Sequence, residues 1–316
     1  MTPVRTPAAG MLLIHGAWQG SWAWDAWLPE LAARGWTVRA VDLPGNGANP
    51  SGDAGLEVSL QTYVGALTEA LAGFDGPVVV VAHSGAGVPA SQLAEALPER
   101  VACLVYVAGM MLPSGMGYAE LVDASAADVP NAGGIAPYLQ WSDEGAATIV
   151  PPEAALEIFL HDCPPEAARQ AALKLTPQRE SGRALVTTLS AERFGSVPRI
   201  YVEALRDRSV LLPLQRKMQA LVPGAIVRSI DCGHVPQLAR PAELAALVCD
   251  ALAGIGIASS ASSASSVTSV TSVTSVTSVT SVTSATSVSV SSSASPVSTD
   301  SASASNRHSL STGTSS

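Results

Sequence analysis

Three residues far apart in this 316-residue chain have the types needed for nucleophilic chemistry: Ser84 in Ala82-His83-Ser84-Gly85-Ala86, Asp207 in Leu205-Arg206-Asp207-Arg208, and His234 in Asp231-Cys232-Gly233-His234. A serine hydroxyl attacks a carbonyl well only when an imidazole takes its proton and a carboxylate orients that imidazole. Ser84 closes the apolar run Val78–His83 and has small residues at both ±2 positions, Ala82 and Ala86. This is the small-x-Ser-x-small form of the nucleophile elbow, a strand-to-helix turn too tight for bulky neighbours. Glycine at both positions would be the stronger signal, and alanine keeps the steric condition.

Asp207 follows one predicted strand and His234 follows the next, giving the chain order Ser, Asp, His. Glu203 and Asp231 are the nearest alternative acids, but Glu203 lies inside its strand and Asp231 only three residues before His234. Acyl transfer also needs backbone donors for the oxyanion. Gly85, next after the serine, supplies one, and Ala17 in the loop Gly16-Ala17-Trp18 is expected to face it. His15 reads as a buried residue shaping that loop, His83 as packing behind the elbow, and His161 has no evident partner. The run Gly85-Ala86-Gly87-Val88-Pro89-Ala90 also spells G-x-G-x-x-A, but the next strand ends in Val107-Ala108-Gly109, without the acidic residue of a dinucleotide site.

The elements that must carry these residues follow an alternating pattern. Six short β-branched runs read as strands: Met11–His15, Thr37–Leu43, Val78–His83, Val101–Ala108, Arg199–Leu205 and Ala225–Ile230. Between them, Trp22–Arg34, Ser59–Phe74, Val88–Leu97 and Pro241–Ala253 have apolar residues at helical spacing. The expected fold is α/β, a mostly parallel sheet with helices on both faces. The connection from Gly109 to Pro198 is too long for a simple crossover, so residues of about 110–197 are expected to form an inserted cap over the carboxyl ends of the strands. Pro151–Leu160 and Pro165–Leu175 look helical within it.

Residues 1–258 carry every Trp, Tyr, Phe and Cys. From Ser259 to Ser316 nearly every position is Ser, Thr, Val or Ala, and Val267–Ser284 is six consecutive Val-Thr-Ser triplets. Such a composition buries too little apolar surface to offset chain entropy, so this segment is expected to be a disordered tail. A repeat of three matches neither a strand nor a helix; the sharper alternatives are a surface for hydroxyl modification or an aggregation-prone β segment.

The net charge of −9, with Lys174 and Lys217 as the only lysines, leaves no basic stripe for nucleic acid. The polar start and the lack of a long apolar run suggest a cytoplasmic protein that spans no membrane. Cys103, Cys163, Cys232 and Cys249 have no metal-ligand spacing and read as reduced thiols, and chemistry on Ser84, Asp207 and His234 calls for neither a metal nor an organic cofactor. The oligomeric state is open, a homodimer included.

Taken together, these motifs resemble the α/β hydrolases, and within them the branch of plant methylesterases, hydroxynitrile lyases and bacterial esterases. The resemblance runs from about Leu12 to Ala253, through Leu13-Ile14-His15-Gly16-Ala17-Trp18, Trp22-Ala23-Trp24, Asp42-Leu43-Pro44-Gly45-Asn46-Gly47, the elbow, Glu203-Ala204-Leu205-Arg206-Asp207 and Gly233-His234-Val235-Pro236. It implies the α/β-hydrolase fold, Ser84 as nucleophile, Asp207 and His234 as its partners, and Ala17 and Gly85 as oxyanion donors. Ala82 and Ala86 depart from the family's usual glycines. The lyases resemble one another in a Thr in the oxyanion loop and a Lys after the catalytic His; this chain has Ala17 and Val235 there, which favours ester hydrolysis. The expected activity is that of a serine carboxylic ester hydrolase acting on a small ester, with Trp18, Trp141 and Phe159 as candidate apolar pocket residues. Carbon–carbon bond cleavage on the same triad and a non-turnover ligand receptor are the alternatives.

Overall fold

The computed structural model describes residues 6–48, 58–142, 145–260 and 271–273. In chain order its strands are β1 (Thr6–Ala8), β2 (Met11–Ile14), β3 (Val38–Val41), β4 (Val78–His83), β5 (Val101–Val107), β6 (Gln140–Trp141), β7 (Ala147–Ile149), β8 (Gln178–Arg179), β9 (Arg199–Ala204), β10 (Ile226–Ile230), β11 (Ile257–Ser259) and β12 (Thr271–Val273). Among the described residues, seven of these form one parallel sheet in the order β10-β9-β5-β4-β2-β3-β12. All six strands read from the sequence are present, each within two residues of its expected ends.

The centre of the sheet is covered on both faces, which is why Val78–Val81 can be uniformly apolar. Strand alternation sends Val79 and Val81 to one side and Val78 and Val80 to the other. On the first side lie helices α1 (Leu28–Ala32) and, at the far end of the chain, Pro241–Gly254, through Leu31, Leu244 and Val248. On the second lie α2 (Leu60–Leu71) and α3 (Gly87–Ala96), through Leu67 and Leu93. A capping box starts α2: Thr62 N–H donates to Ser59 Oγ at 3.2 Å, and Ser59 N–H donates to Thr62 Oγ1 at 2.8 Å.

The stretch Trp22–Arg34 is not one helix. It divides into a 3₁₀ turn, Ser21–Trp24, and α1, because Pro29 has no N–H to continue a ladder from the preceding turn. The insertion between β5 and β9 is also less uniformly helical than expected. It holds α4 (Tyr118–Asp123), a three-stranded antiparallel sheet β6-β7-β8, α5 (Pro152–Ala154) running into a π turn at Ala155–Phe159, and α6 (Pro165–Leu173). Leu160 N–H reaches back five residues to the Ala155 carbonyl at 3.0 Å in that turn. Three helices follow: α7 (Leu212–Leu221), α8 (Pro236–Ala239) and α9, the Pro241–Gly254 helix above. Trp141, expected near the pocket, is instead 60% exposed on β6.

At the end of the domain, β11 pairs with β1, and its last residue, Ser259, donates its hydroxyl to the Gly35 carbonyl. The strand thus includes the residue where the sequence suggests the tail begins. Further on, Thr271–Val273 within the Val-Thr-Ser repeat lies parallel to β3. Strand pairing uses only backbone N–H and C=O groups, and an open sheet edge offers them without asking for an amphipathic face. Apart from Ser260, the rest of the expected tail lies outside the described residues.

Candidate active site

Ser84 stands where β4 breaks into α3, with φ +54°. A non-glycine residue in this region is strained and needs its surroundings to hold it. Here Met110 N–H donates to the Ser84 carbonyl at 2.9 Å. The position that cannot carry a side chain is Gly87, where a Cβ would lie 2.6 Å from the Met110 carbonyl oxygen. Ala82 and Ala86 are both buried without such conflict, so alanine satisfies the elbow at ±2.

The strand order places Ser84 at the end of β4, Asp207 after β9 and His234 after β10. The Ser84 hydroxyl lies 3.1 Å from His234 Nε2, and His234 Nδ1 donates to Asp207 Oδ2 at 2.8 Å. Asp207 is held firmly: Oδ1 accepts Ser209 N–H at 2.7 Å and Val210 N–H at 3.0 Å, and Oδ2 accepts Gln215 Nε2 at 3.3 Å. The alternative acids are committed elsewhere. Glu203 accepts from Arg216, Gln219 and Ser229, while Asp231 is exposed and paired with Arg206 at 2.9 Å.

Ala17 and Gly85 face one another, since a Cβ at Gly85 would sit 4.0 Å from the Ala17 Cβ. Their neighbour Gly16 admits no side chain: a Cβ there would lie 2.9 Å from His83 Nδ1 and 3.1 Å from Ser84 Cβ. His15 donates from Nδ1 to the Gly16 carbonyl at 2.8 Å and accepts Leu43 N–H at Nε2, 3.0 Å away. It is a buried loop-shaping residue, and burial lowers its pKa. His83 does more than pack behind the elbow, because Nε2–H donates to the His234 carbonyl at 2.7 Å while Nδ1 faces the Gln19 amide at 3.0 Å. Burial, reinforced by the nearby His234 ring, holds His83 well below the ordinary histidine range. His161 adjoins Gly233, and its neighbour Asp162 accepts Gly233 N–H at 2.8 Å. Gln19 and Asp162 had no motif to announce them.

Above Ser84 opens a cavity of about 540 Å³, lined by Trp18, Tyr63 and Met110 from the body and by Tyr118, Gln178 and Val186 from the insertion. Phe159 is not part of it. It stacks on the His234 ring at 5.2 Å and borders a separate, smaller cavity of about 180 Å³ with Trp22 and Val235. All four cysteines are free thiols, and burial pushes Cys103 and Cys163 up to about 12, which keeps them protonated. Among the described residues no cluster of His, Cys, Asp and Glu could hold a metal ion, and no helix is long and apolar enough to cross a membrane.

A parallel sheet ending in an elbow serine, with an acid and a histidine from later strands, defines an α/β hydrolase, and the chain belongs to the α/β hydrolase family over residues 11–247. Its relatives include the pyrethroid hydrolase of Sphingobium wenxiniae, 31% identical over 76% of this chain and 86% of the relative, and methylesterase 7 of Arabidopsis thaliana, 30% identical over 75% and 94%. The crystal structure of a pyrethroid hydrolase from Sphingobium faniae is similar at TM-score 0.67 and 30% identity, covering 79% of this chain and 97% of that one. Polyneuridine aldehyde esterase, at 24% identity and TM-score 0.68, shares the fold.

Proposed function

We propose that the protein is a serine carboxylic ester hydrolase in which Ser84, His234 and Asp207 are the catalytic triad and the backbone N–H groups of Ala17 and Gly85 form the oxyanion hole. The observation that carries this reading is the unbroken chain Ser84 Oγ, His234 Nε2, His234 Nδ1, Asp207 Oδ2, at 3.1 Å and 2.8 Å. Ser84 Oγ adds to the ester carbonyl as His234 Nε2 takes its proton. The carbonyl oxygen becomes an oxyanion held by the two N–H groups, and Asp207 stabilises the imidazolium. Collapse of this intermediate expels the alkoxide, which receives the proton from His234. Water then adds to the acyl-enzyme by the same route and releases the acid.

The substrate class is a small, largely uncharged ester, for which the apolar walls of the large cavity and the named activities of the relatives are the support. Val235 leaves no cation directly after His234, which favours ester hydrolysis over release of a charged carbon fragment. Residues 1–258 are taken as the hydrolase domain, with 110–197 as its cap, and four free thiols fit a cytoplasmic setting. The test is a panel of p-nitrophenyl esters of increasing acyl length, with Ser84→Ala alongside. The variant should lose activity by about 10³-fold or more. Retention of more than about a tenth of the wild-type rate removes Ser84 from the reaction.

A further inference from the structure

Trp18, next to the proposed oxyanion donor, has φ +62°. A bulky residue takes this left-handed conformation only where its surroundings enforce it. The enforcement comes from the insertion. Trp18 N–H donates to Gln178 Oε1 at 3.2 Å, and the indole Nε1–H reaches the Thr148 carbonyl at 3.1 Å and its hydroxyl at 3.2 Å. Thr176 N–H donates to the Trp18 carbonyl at 2.9 Å. Thr148 and Gln178 are register partners across β7 and β8, both nearly fully buried. Gln178 is itself oriented, as its Nε2 donates to the Tyr63 hydroxyl at 3.1 Å.

Trp18 belongs to the turn that holds the peptide carrying the Ala17 N–H. Trp18 is the third residue of a turn closed by Gln19 N–H on the Gly16 carbonyl, at 3.3 Å. The Gly16 carbonyl and the Ala17 N–H belong to one trans peptide and point in opposite directions. Drawing that carbonyl toward Gln19 N–H and His15 Nδ1 therefore turns the Ala17 N–H the other way. If Trp18 relaxed to a right-handed conformation, the Ala17–Trp18 peptide would turn over and the backbone of Ala17, which carries the donor, would be reset with it.

We propose that Gln178 and Thr148 of the insertion are positioning residues for the oxyanion hole: they clamp Trp18 in its left-handed conformation and so aim the Ala17 N–H. The proposal rests on the assignment of Ser84 and Ala17 above. It makes the insertion part of the machinery that stabilises the tetrahedral intermediate, as well as a wall of the cavity.

The test compares Gln178→Leu and Thr148→Val with the wild type in kcat, KM and inhibition by an aryl trifluoromethyl ketone, which forms an oxyanion on addition of a serine. In Gln178→Leu, kcat should fall about ten-fold or more and inhibitor affinity should fall in parallel, both by more than any change in KM from the altered cavity wall, because oxyanion stabilisation is lost. Thr148→Val, which keeps the carbonyl acceptor, should show the same pattern at smaller size. In a Trp18→Gly background the Gln178→Leu cost should shrink to within about twofold, since glycine takes a positive φ unaided. An unchanged kcat, a loss confined to KM, or an equal cost in both backgrounds overturns the proposal. Should Gln178→Leu fail to fold, an unchanged kcat and inhibitor affinity in Thr148→Val overturns it equally. Fluorophosphonate labelling of the wild type keeps the two readings apart: absence of label on Ser84 sinks the triad, whereas labelled Ser84 with unaffected variants sinks the clamp alone.

Discussion

His83 ties the elbow to the backbone of the proposed catalytic histidine: its Nε2–H donates to the His234 carbonyl at 2.7 Å, and the two rings lie 4.8 Å apart. The same imidazole faces Gln19, just past the proposed oxyanion donor Ala17. One buried side chain thus touches the segments that carry the proposed nucleophile, base and oxyanion donor.

Burial keeps His83 and His15 neutral in the folded protein, with both pKa values lowered, His83 well below the ordinary value. In the unfolded chain each titrates near about 6.5. Below that pH the unfolded state binds protons that the folded state refuses, so stability falls as pH drops, by up to about 1.4 kcal/mol per pH unit for each group. Urea unfolding from about pH 8 to pH 5 should show this decline beginning near about pH 6.5. His83→Asn should make the slope shallower by about one proton; an unaltered slope would remove His83 from the acid response.

Asp207→Asn keeps the size of the side chain but favours the wrong His234 tautomer, with a cost in kcat/KM that can approach about 10⁴-fold, as in other triads. Glu203→Gln and Asp231→Asn should leave the rate within about threefold, because their carboxylates serve Arg216 and Arg206 outside the reacting chain. A near-normal Asp207→Asn beside a crippled variant of either other acid would reverse the assignment.

Gly16→Ala inserts a Cβ 2.9 Å from His83 Nδ1, against a buried ring anchored by its Nε2–H on the His234 carbonyl. The expected cost is about 1–3 kcal/mol of stability, with a larger proportional loss of kcat than of substrate affinity. Equal Tm and kcat to the wild type would show that the loop at Gly16 yields freely.

Truncation after Ser260 keeps β11 and its pairing with β1 but removes β12 from the edge of β3. Three residues of backbone pairing on a sheet edge contribute little, so Tm should move by less than about 3 °C with ester turnover unchanged. A larger drop would make the repeat segment a working part of the sheet.

Long apolar runs and the small-x-Ser-x-small turn made the six main strands and the elbow readable from sequence, because a buried parallel strand and a tight turn both restrict residue type at adjacent positions. The insertion was far less readable. β6 and β8 are two residues each, too short to show any period, and the break in Trp22–Arg34 hangs on a single proline. Gln178 carries no motif either: its link to Trp18 spans 160 residues, and nothing local distinguishes it from a surface glutamine. The spacing of Ser84, Asp207 and His234 was legible as order along the chain, while the commitment of Glu203 to Arg216 needed three dimensions.

The exposed Trp141 has an optical consequence. Of the six tryptophans, Trp18, Trp22, Trp24, Trp27 and Trp36 crowd into one short stretch of the body, and only Trp141 belongs to the 110–197 insertion. The four most enclosed of that group are at most 5% exposed, against 60% for Trp141. Acrylamide quenching therefore separates the two regions without any introduced label: a readily quenched, long-wavelength emission reports the insertion, and a shielded, shorter-wavelength emission reports the sheet and its helices. A Trp141→Phe variant should remove the first component and leave the second, so that a ligand's effect on either region can be followed by its own colour of light.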